Sequence, residues 1–259
     1  MKIGNWFKSV PAALVAAGLW IPNVAYAVNI PLADASFEDY VVPAAGYAYA
    51  NLYRPTSGWV DDLDSPPGYT QDNADSNWLY SAAYGESSAA HRRAAPRTGN
   101  QAMHGLTQYS AQETTAVFEA GMTYTFSVWA QGDIDATTGA GTGGSSRVFL
   151  YLFDGSISFS EANALTSKRY APDTGDFVNR DPSWTAAQSQ AAWRQISLSY
   201  DVLPGSSAIG HPVGVGFWGA DDNALDDATL TALPTVPEPA SALMLGAGGV
   251  ALAAIRRRR

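Results

Sequence analysis

A period-two alternation over residues 123–131 is the feature that most constrains the fold of this chain. Apolar residues alternate there with mostly polar ones, as Tyr124, Phe126, Val128 and Ala130 against Thr123, Thr125, Ser127 and Trp129. This pattern is typical of a β-strand with one face in a core. Other short segments of strand character, separated by turn residues, lie at 29–42, 57–60, 77–80, 101–106, 112–118, 147–153, 193–200, 212–218 and 225–230. Without a long amphipathic helix, the series predicts an all-β sandwich.

The first 27 residues are predicted to be a signal peptide. Lys2 and Lys8 make a basic start, residues 10–21 are apolar, and Ala25-Tyr26-Ala27 is a small-x-small cleavage site. We expect cleavage after Ala27. Residues 28–235 are long enough for one sizeable core, so we predict a single exported domain over that range.

The C-terminal residues 236–259 have three parts. Val236, Pro237, Glu238 and Pro239 precede an apolar segment, 240–255, and Arg256, Arg257, Arg258 and Arg259 end the sequence. As a helix the apolar segment would span about 24 Å, short of the ~30 Å hydrocarbon core of a bilayer. The arginines favour a cytoplasmic C-terminus and leave the preceding domain outside. The pattern predicts a short transmembrane helix, which serves either as a transient handle or as a permanent anchor.

This order of elements resembles the PEP-CTERM sorting signal of bacterial exported proteins. The resemblance implies export and then recognition by an exosortase near Pro237-Glu238-Pro239. It also implies a location in the cell envelope, at the cell surface or in the extracellular matrix, with transient anchoring in the membrane. Because the family is linked to bacteria that produce exopolysaccharide, an exopolysaccharide is a candidate partner.

The charge of residues 28–235 excludes one class of partner. Six of the 15 basic residues and one of the 24 acidic residues lie in the two terminal segments, which leaves nine against 23, a net charge of −14. Such a charge repels nucleic acid, so we exclude nucleic-acid binding. The sequence has no cysteine, which excludes disulfides and thiolate chemistry.

Three short motifs of the domain resemble those of carbohydrate-binding-module-like jelly rolls of the galactose-binding type. They are Ala35-Ser36-Phe37-Glu38, the hairpin residues 120–128, and the closing segment 225–230, which contains Asp226, Asp227 and Ala228. The resemblance implies a jelly-roll β-sandwich in which the strands around Phe37 and Ala228 lie close together. It also implies a structural calcium ion near those strands, with Glu38 and Asp226 or Asp227 at the matching positions.

No convincing catalytic constellation is present in the sequence. His91, His104 and His211 are the only imidazoles, and no Gly-x-Ser-x-Gly elbow accompanies them. Neighbouring carboxylates such as Asp61 and Asp62 occur by chance in loops this acidic, so they do not identify a glycosidase. We therefore predict no catalytic residues and no enzymatic activity, with a glycoside-active enzyme as a distant alternative.

Aromatic residues provide the remaining clue to function. Trp59 and Trp78 lie in the irregular region 43–100, where we expect them to be exposed and to stack on sugar rings. At least half of the six tryptophans in residues 28–235 are expected to pack in the core. We predict an exported, non-catalytic domain that binds neutral or weakly basic polysaccharide. The alternative is a structural or adhesive matrix protein without a defined ligand site.

Overall fold

The computed structural model describes residues 26–39, 41–42, 47–49, 59–61, 78–82, 93–105, 109–133, 146–157, 159–181, 183–220 and 223–235. The predicted signal peptide up to residue 25 and the C-terminal residues 236–259 lie outside this set, so the structure leaves the predictions about them open. Across the described residues, no helix has the length and apolar character needed to cross a bilayer.

The described residues form twelve strands and one short α-helix. In chain order the strands are β1 (Val28–Ile30), β2 (Tyr47–Tyr49), β3 (Val60–Asp61), β4 (Trp78–Ser81), β5 (Gln101–Gly105), β6 (Tyr109–Val117), β7 (Met122–Gly132), β8 (Arg147–Asp154), β9 (Ala164–Tyr170), β10 (Arg194–Asp201), β11 (Pro212–Ala220) and β12 (Asn223–Pro234). The helix α1 (Ala186–Ala191) lies between β9 and β10, and 3₁₀ turns cover Glu161–Asn163 and Pro172–Thr174.

The strands form two antiparallel sheets that enclose one main core. The seven-stranded sheet has the order β10-β7-β12-β5-β4-β2, with β1 paired to β12, and the five-stranded sheet has the order β3-β6-β11-β8-β9. From β5 to β8 and again from β9 to β12, successive strands alternate between the two sheets. The prediction of an all-β sandwich is therefore confirmed.

The core follows the period-two pattern of the sequence. In β7 the side chains of Tyr124, Phe126 and Val128 are buried in it, because alternate side chains of a strand point to the same face. From the opposite sheet, β11 contributes Val215 and Phe217. The strand patterns of the sequence predict nine core residues, and all nine are buried: Phe37, Tyr124, Phe126, Val128, Leu150, Ile196, Leu198, Val215 and Phe217.

The predicted opening strand, residues 29–42, is much shorter than expected. Strand β1 ends at Ile30, and the chain then turns, with Phe37 at a φ of 58°. The backbone N–H of Phe37 donates to the carbonyl of Asp34 at 3.0 Å. Pro31 has no N–H to donate and so cannot continue the pairing of a strand through this point. Phe37 is therefore buried from a turn rather than from a strand.

The first and last strands are close together, as predicted. Strand β1 pairs with β12 so that Ile30 faces Leu230, and the N–H of Ala228 donates to the carbonyl of Ala35 at 2.7 Å. Strand β9 was not predicted, because most of its residues are polar and three in a row are exposed. It forms an edge of the five-stranded sheet, where only one neighbour is needed.

Candidate functional site

The outer face of the five-stranded sheet is unusually aromatic. In β8, Val148, Leu150 and Leu152 point into the main core. The alternate residues of the same strand form a second cluster on the opposite face: Phe149, Tyr151 and Phe153. A strand that is apolar on both faces therefore contributes rings to the outside of the sandwich as well as to its interior.

Three of these outward rings form a row across neighbouring strands. Trp218 of β11 pairs with Tyr109 of β6 on one side and with Phe149 of β8 on the other. Its ring centroid lies 6.2 Å from that of Tyr109 and 5.2 Å from that of Phe149. All three side chains are half-buried. We call Tyr109, Trp218 and Phe149 the aromatic row.

Gly214 of β11 leaves room on this face for a ring of the neighbouring strand. Gly214 and Gly216 precede Trp218 in β11 at every second position, so they lie on the same, outer side of the strand. The ring of Phe153 lies directly over Gly214, where an added Cβ atom would collide with it. The absence of a side chain at Gly214 lets the ring of Phe153 lie against the backbone of β11.

The loop after β8 covers one part of the face and packs against Tyr109 of the row. The ring centroid of Phe159 lies 5.2 Å from Tyr151 and 5.4 Å from Tyr109. Tyr109 donates its hydroxyl to Oε2 of Glu161 at 3.1 Å. Burial, together with the neighbouring Tyr109 and Glu161, raises the pKa of the Tyr151 phenol, so that group stays neutral. The rings of Tyr109 and Phe149 are inclined to that of Trp218 by 33° and 60°, so this face carries a cluster of tilted rings with Glu161 at its rim.

The two tryptophans predicted to bind ligand are not part of this face. Trp59 is only 1% exposed, so the prediction of its exposure is wrong. Its ring packs against Phe37 and Phe217, with centroid distances of 5.7 and 5.1 Å. Its indole N–H donates to the carbonyl of Asp34 at 3.3 Å. The backbone of Trp78 belongs to β4, but its side chain lies outside the described residues.

Two sequence signals point to the aromatic row. Residues 147–153 are apolar on both faces, a pattern that by itself predicts a strand buried in the middle of a sandwich. A strand of a two-layer sandwich has only one face in the core, so the second apolar face needed another explanation. Trp218 directly follows Phe217, which was predicted to point inward, and alternation therefore directs Trp218 outward.

The carboxylates predicted to hold calcium converge on one turn, residues 97–101. Asp226 is fully buried, and its Oδ2 accepts the backbone N–H groups of Arg97 and Thr98 at 2.9 and 3.2 Å. Asp227 accepts the hydroxyl of Thr98 at 2.9 Å and forms an ion pair with the Arg97 guanidinium. From the other side, Oε1 of Glu38 accepts the N–H groups of Asn100 and Gln101 at 2.8 and 2.9 Å. We call Glu38, Asp226, Asp227 and this turn the carboxylate junction.

The carboxylate junction does not fit a calcium ion shared by its three acids. A calcium site needs oxygen atoms directed at the cation, whereas these carboxylates accept hydrogen bonds from N–H and O–H donors. The described part of the chain contains no group of three His, Cys, Asp or Glu side chains arranged to hold a metal. The cation observed here is the guanidinium of Arg97, which also lies 3.9 Å from the ring centre of Trp129.

Burial changes the protonation of Asp226. Its removal from water, with the charge of Asp227 as a second cause, raises the pKa of Asp226 to about 8. The backbone N–H groups of Thr98, Asp227 and Arg97 oppose that rise, because they stabilise the charged form. Asp226 is therefore a carboxyl group that titrates near neutral pH inside the protein.

A second buried polar cluster lies on the outer side of the seven-stranded sheet. Asp133, 1% exposed, forms an ion pair with Arg93 at 3.0 Å and lies 3.4 Å from Nε2 of His104. Its other oxygen accepts the backbone N–H of Ala94 at 2.7 Å. Arg180, also buried, donates to the carbonyl of Arg93. These contacts fasten the segments that cover this part of the sheet, and we call them the buried ionic cluster.

His211, Asp154 and Ser156 lie together and have the composition of a hydrolase triad, but not its geometry. Asp154 Oδ2 lies 2.6 Å from His211 Nδ1, and the Ser156 hydroxyl lies 3.3 Å from the same nitrogen. Ser156 donates its proton to the carboxylate of Asp154 at 2.6 Å. In a catalytic triad the serine and the acid contact different ring nitrogens, so this arrangement does not activate the serine.

Comparisons with known proteins identify the tail and the fold. Residues 235–259 match the family model described as the PEP-CTERM protein-sorting motif. A search of curated proteins finds no match. A cyclase from Fischerella sp. TAU is similar in structure, with a TM-score of 0.56 and 18% identity over 82% of this chain and 100% of that chain. The apo form of a cyclase from Fischerella sp. has a TM-score of 0.54 and 18% identity over 82% and 98% of the two chains.

These structural similarities extend to carbohydrate-binding domains at a lower level. The tandem CBM22-1–CBM22-2 domain of Paenibacillus barcinonensis Xyn10C has a TM-score of 0.40 and 13% identity, over 84% of this chain and 49% of that chain. That likeness is too small to support an argument about this protein. At 18% identity, the likeness to the cyclases shows a shared fold and not a shared activity. The chain is thus an all-β sandwich that carries a PEP-CTERM sorting motif, which indicates an exported protein sorted by an exosortase.

Proposed function

We propose that this protein binds polysaccharide through the aromatic row, without catalysis, at the cell surface or in the extracellular matrix. The single observation that supports the proposal is the cross-strand pairing of Trp218 with Tyr109 and Phe149 on an outer face. Sugar rings have apolar C–H faces that pack on flat aromatic side chains. Half-buried rings held by a sheet lose little conformational entropy when a ligand packs on them.

The dimensions of the row suit an extended ligand. Adjacent strands lie about 4.8 Å apart, so a row over three strands extends about 10 Å across the sheet. Polar groups at its rim, such as Glu161 beside Tyr109, can bond to sugar hydroxyls. Stacking alone is weak, so we expect dissociation constants nearer millimolar than nanomolar, about −4 rather than −12 kcal/mol.

The point at which the described chain ends is compatible with this role. Thr235, where the sorting motif begins, donates its N–H to the carbonyl of Gly121 at 2.7 Å, in the turn that joins β6 and β7. Tyr109 is the first residue of β6, and the turn follows the last one, Val117. At about 3.3 Å per residue, β6 separates the two by about 26 Å. In our proposal the tail anchors the protein transiently in the membrane, so the aromatic row would lie at the end of β6 that is remote from the anchor.

Replacing Trp218 tests the proposal directly. The exported protein should be screened on a glycan array, and the affinity for any bound glycan measured by calorimetry. We expect Trp218→Ala and Phe149→Ala each to weaken binding about tenfold or more, equivalent to about 1.4 kcal/mol. Trp184→Ala is the matched control, because it removes a half-buried tryptophan from a loop outside the row.

Circular dichroism should first establish that each variant is folded. If both row variants bind as well as the unchanged protein, the row is not the binding site. If the folded protein binds no glycan at all, the alternative of a structural or adhesive matrix protein replaces the present proposal.

A further inference from the structure

Most of the exposed apolar side chains of this protein lie at one end of the sandwich. Among the described residues, nine large apolar side chains are substantially exposed. One of them, Tyr26, precedes the predicted cleavage site, and Val41 and Val178 lie elsewhere. The other six lie at the end where β6 stops and β7 starts: Val28, Val117, Ile157, Leu203, Ile209 and Leu233. We call these six residues the apolar end.

The pairing of the strands brings these residues together from separate segments of the chain. In the five-stranded sheet β6 ends where β11 starts, with Val117 opposite Pro212. Strand β8 ends there too, and Ile157 follows it in a turn. In the other sheet β12 ends where β7 starts, with Pro234 opposite Met122, and β1 pairs with this last part of β12. The apolar end is therefore built from both sheets.

The loop between β10 and β11 contributes two of the six residues. Leu203 is 68% exposed, although water is an unfavourable environment for an aliphatic side chain. The loop is fastened to the sandwich, because the N–H of Gly121 donates to the carbonyl of Val202 at 2.8 Å and Ile209 forms a bridge with Phe118. A fastened loop that presents apolar side chains to the outside is typical of a contact surface.

The charges at this end favour an apolar contact over an electrostatic one. The described segments that form it, residues 26–28, 117–123, 154–157, 201–212 and 232–235, contain no Lys or Arg. Their acidic residues are Glu119, Asp154 and Asp201. Attraction to anionic lipid headgroups depends on clustered basic residues, so it does not operate here.

The position at which the chain leaves the sandwich indicates what this end faces. Thr235 donates its N–H to the carbonyl of Gly121 at 2.7 Å, so the chain leaves from the apolar end itself. The apolar segment 240–255 begins five residues later. Five residues span at most about 18 Å even when fully extended. With that segment inserted in a membrane, the apolar end is within reach of the headgroup layer, which is about 5–8 Å thick.

We infer that the apolar end rests on the lipid bilayer while the tail anchors the protein, with Leu203 and Ile209 inserted among the lipid headgroups. This inference rests on the transient anchoring in the proposed function and adds a second contact between protein and membrane. Apolar side chains bound at an interface reach about 5–10 Å into the boundary between headgroups and acyl chains. The contact holds the domain in one orientation, whereas a tether alone would leave it free to rotate.

Labels at single sites can measure this contact, because the sequence contains no cysteine. Full-length protein with Leu203→Cys should carry a polarity-sensitive fluorophore and be reconstituted into phosphatidylcholine vesicles that contain a spin-labelled lipid as quencher. We expect the quencher to reduce the fluorescence about twofold or more, since the label lies at the boundary between headgroups and acyl chains. A label at Ala247→Cys, in the middle of the apolar segment, reports whether the tail is inserted.

The matched control for the label is Ala187→Cys. Ala187 is exposed in α1, and Ser189 of the same helix donates its hydroxyl to Gln131 near the end of β7. Gln131 is nine residues from the start of β7, which places it about 30 Å from the apolar end. The fluorescence of this label should be unaffected by the quencher.

Polar substitutions test whether the apolar side chains cause the contact. Leu203→Ser combined with Leu233→Ser, observed through a label at Ser207→Cys in the same loop, should reduce the quenching about twofold or more. Val41→Ser is the control, because Val41 is 82% exposed and its neighbour donates to Gln101 of β5, away from this end. It should leave the quenching unchanged. Circular dichroism should establish that each variant is folded.

The outcomes distinguish this inference from the function on which it rests. If the label at Ala247→Cys is quenched and that at Leu203→Cys is not, the tail is inserted without contact of the apolar end, and the inference is wrong. If the polar substitutions leave the quenching unchanged, the tether alone brings the loop near the lipid, and the inference is also wrong. If the loop label is unquenched by lipid yet shielded from iodide, another protein chain covers this end, which contradicts the inference.

Two further results separate the parts of the proposed function. If even the label at Ala247→Cys is unquenched, transient anchoring fails together with the inference. Polysaccharide binding is measured separately through the Trp218 variant, so its loss or survival does not depend on the contact with lipid.

Discussion

The outer faces of the two sheets in this sandwich differ in almost every respect. The five-stranded sheet carries a cluster of aromatic rings in which Tyr151, Phe153 and Phe159 are buried and Trp218 is half-buried. The seven-stranded sheet is covered at one end by residues 93–98 and by the segment that contains α1, beneath which the buried ionic cluster lies. At its other end the face is rich in hydroxyls. The side-chain oxygens of Thr125 and Ser199 lie 2.8 Å apart there.

The difference shows that strand periodicity alone does not set the role of an outer face. Strands β7 and β8 both alternate, and both send large residues outward, Trp129 and Phe149. Trp129 and Phe149 are both half-buried, but the guanidinium of Arg97 lies over the ring of Trp129, whereas the ring of Phe149 packs against that of Trp218. What lies over a strand therefore decides which groups its outward ring contacts.

The largest effect is expected from breaking the buried ionic cluster. Asp133→Ala removes the carboxylate from Arg93 and leaves a buried cation without that partner, which should lower the free energy of unfolding by about 3–5 kcal/mol. Urea denaturation followed by tryptophan fluorescence measures the loss. Asp173→Ala, which breaks the exposed pair with Arg169, is the control and should cost less than about 1 kcal/mol.

Stability and glycan binding should respond differently to this substitution. Glycan affinity per folded molecule should be unchanged in Asp133→Ala, because the aromatic row belongs to the opposite sheet. A loss of stability below about 1 kcal/mol for Asp133→Ala would mean that the cluster does not hold the cover in place.

A smaller effect on stability is expected from a change of pH, again through a group on the covered face. Because the pKa of Asp226 rises from 3.8 to about 8 on folding, the folded protein binds more protons than the unfolded chain between these values. Stability from this group is therefore present below about pH 4 and is lost as the pH rises through about 8. Asp34, whose pKa burial raises to about 6, acts in the same direction.

Melting temperatures at pH 5 and pH 8.5 provide the measurement. We expect the protein to melt at a lower temperature at pH 8.5, and Asp226→Asn to reduce the difference between the two pH values. The comparison uses the change with pH rather than the absolute stability, so a general destabilisation by the substitution does not obscure it. An unchanged pH dependence in the variant would show that Asp226 does not titrate in this range.

The smallest effect is expected from calcium at the carboxylate junction. Its carboxylates already accept N–H and O–H donors, and Arg97 supplies the positive charge. Melting curves recorded with calcium and with a chelator should therefore coincide, whereas binding at 100 times the dissociation constant would add about 2.7 kcal/mol. Curves that separate by several degrees, with the gap closed by Asp227→Ala, would restore the calcium site predicted from the sequence.

Much of the fold could be predicted from single segments. The alternation over 123–131 correctly identified the buried side of β7, because the direction of each side chain in a strand is set by the local backbone. The opening and closing motifs correctly brought Phe37 near Ala228. Strand β9 was missed, since an edge strand needs little apolar surface and its pattern resembles that of a polar loop.

The candidate site could not be predicted in the same way. Trp59 lies in an irregular, polar region of the sequence, yet it is buried by Phe37 and Phe217, which are distant along the chain. The aromatic row depends on the register of β11 with two other strands, and no local pattern sets the register of Trp218 with Tyr109 and Phe149.

The sequence by itself determined the sorting motif at 235–259, the all-β class and the inward side of the principal strands. Each of these depends on the order or the spacing of residues within one segment. Only the tertiary structure decided that Arg97 pairs with Asp227, that Trp59 is core, and that Arg169 lies beside Phe149. These contacts join segments far apart in the chain, and their free energy is gained only when strand register and loop cover bring those segments together.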